Sequence, residues 1–248
     1  MKNMTHNNRW LVRRPIAAPR LRLFCFAHAG GRATDFLPWQ AQLDPHVEVC
    51  GVQLPGRGAR WSEEPRMAMP LLVETVARVI ERHADLPFAL FGHSLGAILA
   101  FEVARYCQSH GLPVPVHLLV SGCSAPGRFG GQQWHVLEDD ELIGILKRLN
   151  GTPAEFLEQE ELMQLVLPML RADFELVGTY AYCRGPRLHM PITALAGVAD
   201  EHVRLDSFSG WEDETHAGYD QFRFEGGHFF VQERSAEVVA CLMEKLGF

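Results

Sequence analysis

Short apolar runs alternate along this chain with segments of helical periodicity, and this alternation limits the possible folds more than any other feature. The runs are rich in β-forming residues and cover 21–27, 47–54, 87–92, 115–122, 191–197 and 221–226. Amphipathic segments lie between them, for example at 71–83 and 95–110. Strands that alternate with helices predict a parallel sheet covered by helices on both faces. We therefore expect an α/β fold with a mostly parallel central sheet, as a single domain over 1–248.

The alternation is interrupted once, between Gly127 and Arg187, by about sixty residues where a βα unit would use far fewer. Two helical patterns occupy this insertion. The first, within 136–151, has an acidic first turn and an apolar set at Leu142, Ile145, Leu146 and Leu149. The second, within 161–182, has its apolar set at Leu162, Leu165, Val166, Met169 and Leu170, and Pro168 should kink or restart it. These apolar faces fit either ordinary core packing or a lid over a site.

Composition and charge narrow the classes of partner. A net charge of -7 and a pI near 5.9 give no basic field, so neither nucleic acid nor an anionic membrane is expected as the main partner. The N-terminus lacks the pattern of a secretory signal, and no apolar stretch is long enough to span a membrane. Six scattered cysteines without a CxxC pair fit reduced thiols. We expect a cytoplasmic protein without metal or organic cofactor.

A GxSxG motif centred on Ser94 lies in the segment FALFGHSLGAILAFEVAR, residues 88–105. The motif alone is a weak signal, because glycine and serine are common. Here, however, it follows an apolar strand and opens a helix, as the nucleophile elbow of a serine hydrolase must. Gly92 and Gly96 would remove side chains that collide where strand and helix meet. The pattern favours a nucleophilic serine over a plain strand-to-helix turn.

A nucleophilic serine needs a base and an orienting acid, in the chain order serine, acid, histidine. Asp200 follows the run at 191–197, and His228 follows the last run after two glycines. Because the carboxyl ends of parallel strands share one edge of a sheet, we expect both to converge with Ser94. Glu201 is the rival acid. We expect His93, beside the serine, to be structural.

An oxyanion would need two backbone donors. The N–H of Leu95, directly after the serine, is one. The second is expected from AHAGGR (27–32), with Ala29 favoured and Gly30 as the alternative. The other interpretation of this segment is a tight turn without a catalytic role.

Taken together, the motifs resemble those of type II thioesterases, the stand-alone α/β-hydrolases associated with nonribosomal peptide and polyketide synthetases. The motifs occur in the family's order: LFCFAHAGG, LPGRGAR, FGHSLGAILAFEVAR, RADFEL, GVADEHV and GGHFF. The resemblance implies an α/β-hydrolase fold with a helical lid at about 128–187. It also implies hydrolysis of stalled or aberrant acyl groups from the phosphopantetheine thiol of carrier domains.

By the same resemblance, Ser94 is the nucleophile, Asp200 the acid and His228 the base, with the amides of Ala29 and Leu95 in the oxyanion hole. The chain departs from the family at Ala27, where proline is common. In the related domains that terminate synthetases the acid follows the preceding strand, but SGCSAPGRFGG (121–131) has no carboxylate. An acid one strand later fits the stand-alone type, whose carrier partner is a separate protein.

Several alternatives stay open at this stage. Arg57 and Arg60 could contact the phosphate of a pantetheine arm, or they could be structural loop residues. The same triad could serve a general carboxylesterase or lipase acting on oxygen esters. A non-catalytic binding protein with a hydrolase fold is the alternative from another class, although such a protein would not need the complete serine, aspartate and histidine set.

Overall fold

A central sheet organises the molecule, whose computed structural model describes residues 9–149, 151, 154–203 and 205–248. Seven strands form the sheet in this part of the chain: β1 (Leu11–Arg13), β2 (Leu21–Phe26), β3 (Val47–Val52), β4 (Phe88–His93), β5 (His117–Ser121), β6 (Ile192–Gly197) and β7 (Tyr219–Phe224). Their order is β1-β3-β2-β4-β5-β6-β7, and all neighbours are parallel except β1 and β3. The predicted α/β fold with a mostly parallel sheet is confirmed, and β1 is an additional strand.

The helices connect the strands as the alternation predicts. The α-helices are α1 (Met69–Glu81), α2 (Leu95–Ser109), α3 (Asp139–Leu149), α4 (Ala154–Leu157), α5 (Glu160–Gly178), α6 (Phe230–Glu233) and α7 (Ser235–Leu246). Short 3-10 helices cover Ala33–Ala41, Gly58–Arg60, Pro126–Arg128, Trp134–Val136 and Leu205–Glu214. None of the helices in the described ranges has the length and apolarity needed to span a bilayer.

Apolar side chains pack on both faces of the sheet. Every residue of β2 to β6 is buried, which explains why these strands are almost continuously apolar rather than alternating. On one face the core includes Leu72 of α1 and Phe101 of α2. On the other face it includes Trp39, from the 3-10 helix Ala33–Ala41, and Leu242 of α7. The sheet is therefore a rigid support for the loops at its carboxyl edge.

Helices α3, α4 and α5 lie between β5 and β6 and form an apolar cluster of their own. In α3 the predicted apolar face is confirmed, since Leu142, Ile145 and Leu146 are buried. Residues 150, 152 and 153 of the predicted lid, and residues 1–8 of the predicted domain, lie outside the described residues.

The predicted apolar face of α5 is confirmed at Met169 and Leu170, which are buried, and is wrong at Leu165. Leu165 is 58% exposed, whereas Met163, Leu167 and Phe174 are buried. Met163 and Leu167 pack in one cluster with α3 and α4, so the buried face of α5 also includes positions that the sequence pattern did not favour. Helix α5 also continues through Pro168, so no new helix begins there.

Candidate active site

Ser94 occupies a sharp turn between β4 and α2. Its φ of 56° and ψ of -119° make it the one non-glycine residue with positive φ among the described residues. Such a conformation is strained and persists only where the surroundings impose it. A Cβ at Gly92 would lie 2.0 Å from the Gly96 carbonyl oxygen, and one at Gly96 would lie 2.1 Å from the Phe26 carbonyl oxygen. The two glycines are therefore required by the close approach of strand and helix, as predicted.

His228 and Asp200 meet at the carboxyl edge of the sheet. His228 lies between β7 and α6, Asp200 follows β6, and the distance from His228 Nδ1 to Asp200 Oδ2 is 2.7 Å. Both side chains are buried, at 8% and 2% exposure. The second carboxylate oxygen of Asp200 accepts a hydrogen bond of 2.9 Å from the His202 N–H. Both oxygens are engaged, which fixes the carboxylate against the imidazole.

The rival acid, Glu201, is exposed and makes no such contact with His228 within the described chain. Ser94 and His228 line the same cavity, although their side chains do not hydrogen-bond within the described residues. In unliganded serine hydrolases this contact is often long and shortens on substrate binding. The structure thus brings Ser94 and His228 to one cavity, with His228 already paired to Asp200.

The loop after β2 presents backbone amides beside Ser94. The Gly31 N–H donates to the His28 carbonyl, and the Gly30 N–H donates to Asp173 Oδ2 over 2.7 Å. The N–H groups of Ala29 and Leu95 have no acceptor among the described residues, and both residues line the cavity. Two free amides therefore flank the serine, one from the loop and one from the N-terminus of α2.

A cavity of about 1190 Å3 opens onto these groups. Its roof comes from the inserted helices, with apolar lining side chains that include Leu146, Phe156, Leu157, Met163, Met169, Leu170 and Phe174. Trp61 and Arg32 also line the cavity. The cavity can hold an extended apolar group with one end at Ser94.

Comparison with known families places the site in context. The family model for the thioesterase domain matches residues 21–246. The chain belongs to the thioesterase domain family. It is accordingly a hydrolase that acts on thioesters.

Several relatives of this thioesterase are named for biosynthetic pathways or gene clusters. It is 39% identical over 241 residues to the gramicidin S biosynthesis protein GrsT of Aneurinibacillus migulanus, covering 96% of this chain and 94% of GrsT. It is 37% identical to thioesterase PikA5 of Streptomyces venezuelae, covering 96% and 85%. The solved structure of BorB, a type II thioesterase from the borrelidin cluster, superposes with a TM-score of 0.88 at 38% identity, covering 97% and 98%. These similarities confirm the resemblance and the α/β-hydrolase fold.

Three further histidines of the thioesterase lie near His228: the rings of His93 and His202 contact it, and His28 contacts His93. His93 is fully buried, its Nδ1 is 3.0 Å from Ser121 Oγ, and its ring centroid is 5.1 Å from that of His228. Burial lowers the pKa of His93 well below 6.5 and that of His28 to about 4. Both rings therefore stay neutral at pH 7 and add no positive charge beside His228. His93 is not among the residues that line the cavity, whereas His28 lines it.

Two arginines that were candidates for phosphate binding have structural partners. Arg57 is 4% exposed and pairs with Asp173 of α5. Arg60 pairs with Glu63 and lies over the ring of Trp10 at 3.5 Å. The guanidinium N–H groups of both arginines are thus directed into the protein, which favours a structural role over phosphate binding. Asp173 was missed as a site residue, although it lies in the RADFEL motif.

Proposed function

We propose that this thioesterase hydrolyses stalled or aberrant acyl groups from the phosphopantetheine thiol of carrier domains in nonribosomal peptide or polyketide synthesis. The observation that carries the proposal is the buried pair of His228 and Asp200, whose histidine lines the same largely apolar cavity as Ser94. GrsT, PikA5 and BorB, named for gramicidin S, for thioesterase activity and for the borrelidin cluster, support the biosynthetic setting.

The chemistry follows from the positions of the three side chains. His228 takes the proton of Ser94 while the serine oxygen attacks the thioester carbonyl, and Asp200 holds Nδ1–H and stabilises the imidazolium. The tetrahedral intermediate collapses, and the thiol leaves with the proton from His228. A water molecule that gives its proton to His228 then attacks the acyl-serine. The acid is released and Ser94 regains its proton.

The negative oxygen of each tetrahedral intermediate needs preorganised donors. In our proposal these are the N–H groups of Ala29 and Leu95. The alternative donor, Gly30, already gives its N–H to Asp173, which supports Ala29. Leu95 adds the positive end of the α2 dipole.

The helices between β5 and β6 would act as a lid within a single domain. Their apolar side chains line the cavity over Ser94, so an acyl chain would be shielded from water during the reaction. We also place the enzyme in the cytoplasm. The six cysteines, which form no disulfide, support that location.

A carrier protein loaded with an acyl-phosphopantetheine tests the proposal directly. After incubation with the enzyme, mass spectrometry should show the free thiol form of the carrier. With Ser94→Ala the acyl group should remain. The same acyl group as a simple oxygen ester should react much more slowly. An acyl group that stays on the carrier while oxygen esters turn over rapidly would contradict the proposal and indicate a carboxylesterase or lipase.

A further inference from the structure

A buried ion pair connects the lid to the loop after β3. Arg57 Nη2 lies 2.6 Å from Asp173 Oδ1, and Arg57 Nη1 lies 2.8 Å from Asp173 Oδ2. The side chains are 4% and 2% exposed. The contact is therefore bidentate and shielded from water, which is the geometry that gives such a pair a fixed orientation.

Both partners also hold the loop that carries the proposed oxyanion donor. Asp173 Oδ2 accepts the Gly30 N–H over 2.7 Å, and Arg57 Nη1 donates to the Gly31 carbonyl over 3.0 Å. A Cβ at Gly30, whose φ is +82°, would lie 2.6 Å from Leu170 Cδ2, one turn before Asp173 on α5. The loop is thus fixed by two hydrogen bonds and by the lid helix packed directly upon it.

We propose that Asp173 and Arg57 are positioning residues for the oxyanion hole. By accepting the Gly30 N–H, Asp173 directs that amide away from the cavity and leaves the adjacent Ala29 N–H facing it. Arg57 fixes the orientation of the carboxylate and holds the other side of the loop. This inference rests on the proposed function, because it assumes that Ser94 forms a tetrahedral oxyanion there.

A purely structural role, in which the pair only anchors α5, predicts different kinetics. Loss of an anchor would change stability and substrate binding. Loss of a positioned oxyanion donor would change the transition state and spare the ground state. The two roles therefore separate in kcat, in KM and in the binding of a transition-state analogue.

The test uses a small-molecule acyl thioester as substrate, so carrier recognition plays no part. The main variant is the double substitution Arg57→Met with Asp173→Leu, which removes both charges and leaves none buried alone. We expect kcat to fall by about tenfold to a hundredfold, since small misplacements of catalytic groups cost on this scale. KM should stay within about twofold of the wild-type value, because a lost oxyanion donor does not change substrate binding in the ground state.

An alkyl trifluoromethyl ketone supplies a second readout. The serine oxygen adds to its carbonyl carbon, the serine proton passes to His228, and the adduct carries an oxyanion in the same hole. Its inhibition constant should rise by the same factor by which kcat falls. If the double variant does not fold, kcat and the inhibition constant can be measured on Asp173→Asn instead. In that variant an amide NH2 group replaces one carboxylate oxygen, so a donor faces the N–H donors of Arg57.

Glu175→Gln is the matched control. Glu175 lies on the same helix and pairs with Arg66 from the same loop region, but this pair is largely exposed. The control should keep kcat and the inhibition constant within about twofold, since exposed ion pairs contribute little.

The outcomes separate the two proposals. A folded double variant with wild-type kcat and inhibitor affinity would overturn the positioning role. A raised KM with unchanged kcat would overturn it also and indicate an anchor. Thioester hydrolysis by Ser94→Ala at the wild-type rate would instead remove the proposed function itself.

Discussion

At the scale of single residues, the site depends on a few backbone and side-chain constraints. Ser94 is held in a strained conformation because Gly92 and Gly96 permit the backbone contacts around it. Asp200 uses one oxygen for His228 and the other for a backbone amide. These are short, directional contacts, so conservative substitutions at the acid should affect the reaction strongly.

Substitution of the two neighbouring acids distinguishes their roles. Asp200→Asn should lower kcat by about a thousandfold or more, because the amide would donate to Nδ1 and favour the wrong imidazole tautomer. The matched variant Glu201→Gln should keep kcat within about twofold of the wild-type value. Glu201 is exposed and does not contact His228, so its substitution should have little effect. Steady-state kinetics on an acyl thioester measures both. A large loss in Glu201→Gln with full activity in Asp200→Asn would contradict the assignment.

Much of the residue-level arrangement could be predicted from local patterns. A GxSxG between strand and helix, and an acid and a histidine after later strands, are defined by spacing and order. The pairing of Arg57 with Asp173 has no such signal, because 116 positions separate them and neither lies in a charge pattern. Only the folded chain shows that they meet at the oxyanion loop.

At the scale of elements, the parts of the lid are held differently. The C-terminal half of α5 joins the ion pair through Asp173 and contributes Leu176 to the main core. Helix α3 contributes Leu142 and Leu146 to the lid cluster, and none of its described side chains belongs to the main core. We therefore expect α3 to open more readily than the C-terminal half of α5.

Native-state hydrogen exchange tests this difference. Backbone amides in α3 should exchange faster than those of 170–178, because local opening is easiest where contacts with the main core are few. Asp173→Asn should speed exchange in 170–178, and Glu175→Gln should leave it within about twofold. Exchange in α5 as fast as in α3 in the wild-type chain would contradict the account.

The sequence predicted the presence of these helices more accurately than it predicted which residues form their buried faces. The acidic start and apolar spacing of α3 were sufficient because one face alone is buried. In α5, apolar residues surround much of the helix, so periodicity could not decide which of two adjacent positions contacts α3 and α4. Strand β1, which is three residues long, is too short for a periodic signal.

At the scale of the whole molecule, buried neutral histidines make stability depend on pH. Burial lowers the pKa of His117, as it does that of His28, to about 4, and it also lowers the pKa of His93 well below 6.5. Above pH 6.5 these groups are neutral in both states and do not affect stability. Between pH 6.5 and 4 the unfolded chain binds protons that the folded chain does not, so the free energy of unfolding falls as the pH falls.

His117 offers a test of this dependence away from the cavity. Its Nε2 lies 2.8 Å from Thr193 Oγ1, between β5 and β6. In His117→Gln the pH slope of the unfolding free energy between pH 6.5 and 4 should decrease, by at most about 1.4 kcal/mol per pH unit. Urea denaturation at several pH values measures the slope. An unchanged slope would contradict the prediction, because it would mean that the pKa of His117 is the same in the folded and the unfolded chain.

Labelling with an alkyl fluorophosphonate tests the central claim, that His228 activates Ser94, most directly. The serine oxygen attacks phosphorus, fluoride leaves, and the serine proton passes to His228. Peptide mass spectrometry should find one phosphonyl group per chain, on Ser94, and labelling should slow by about a thousandfold or more in His228→Ala. A label on another residue, or an unchanged labelling rate in His228→Ala, would contradict the account.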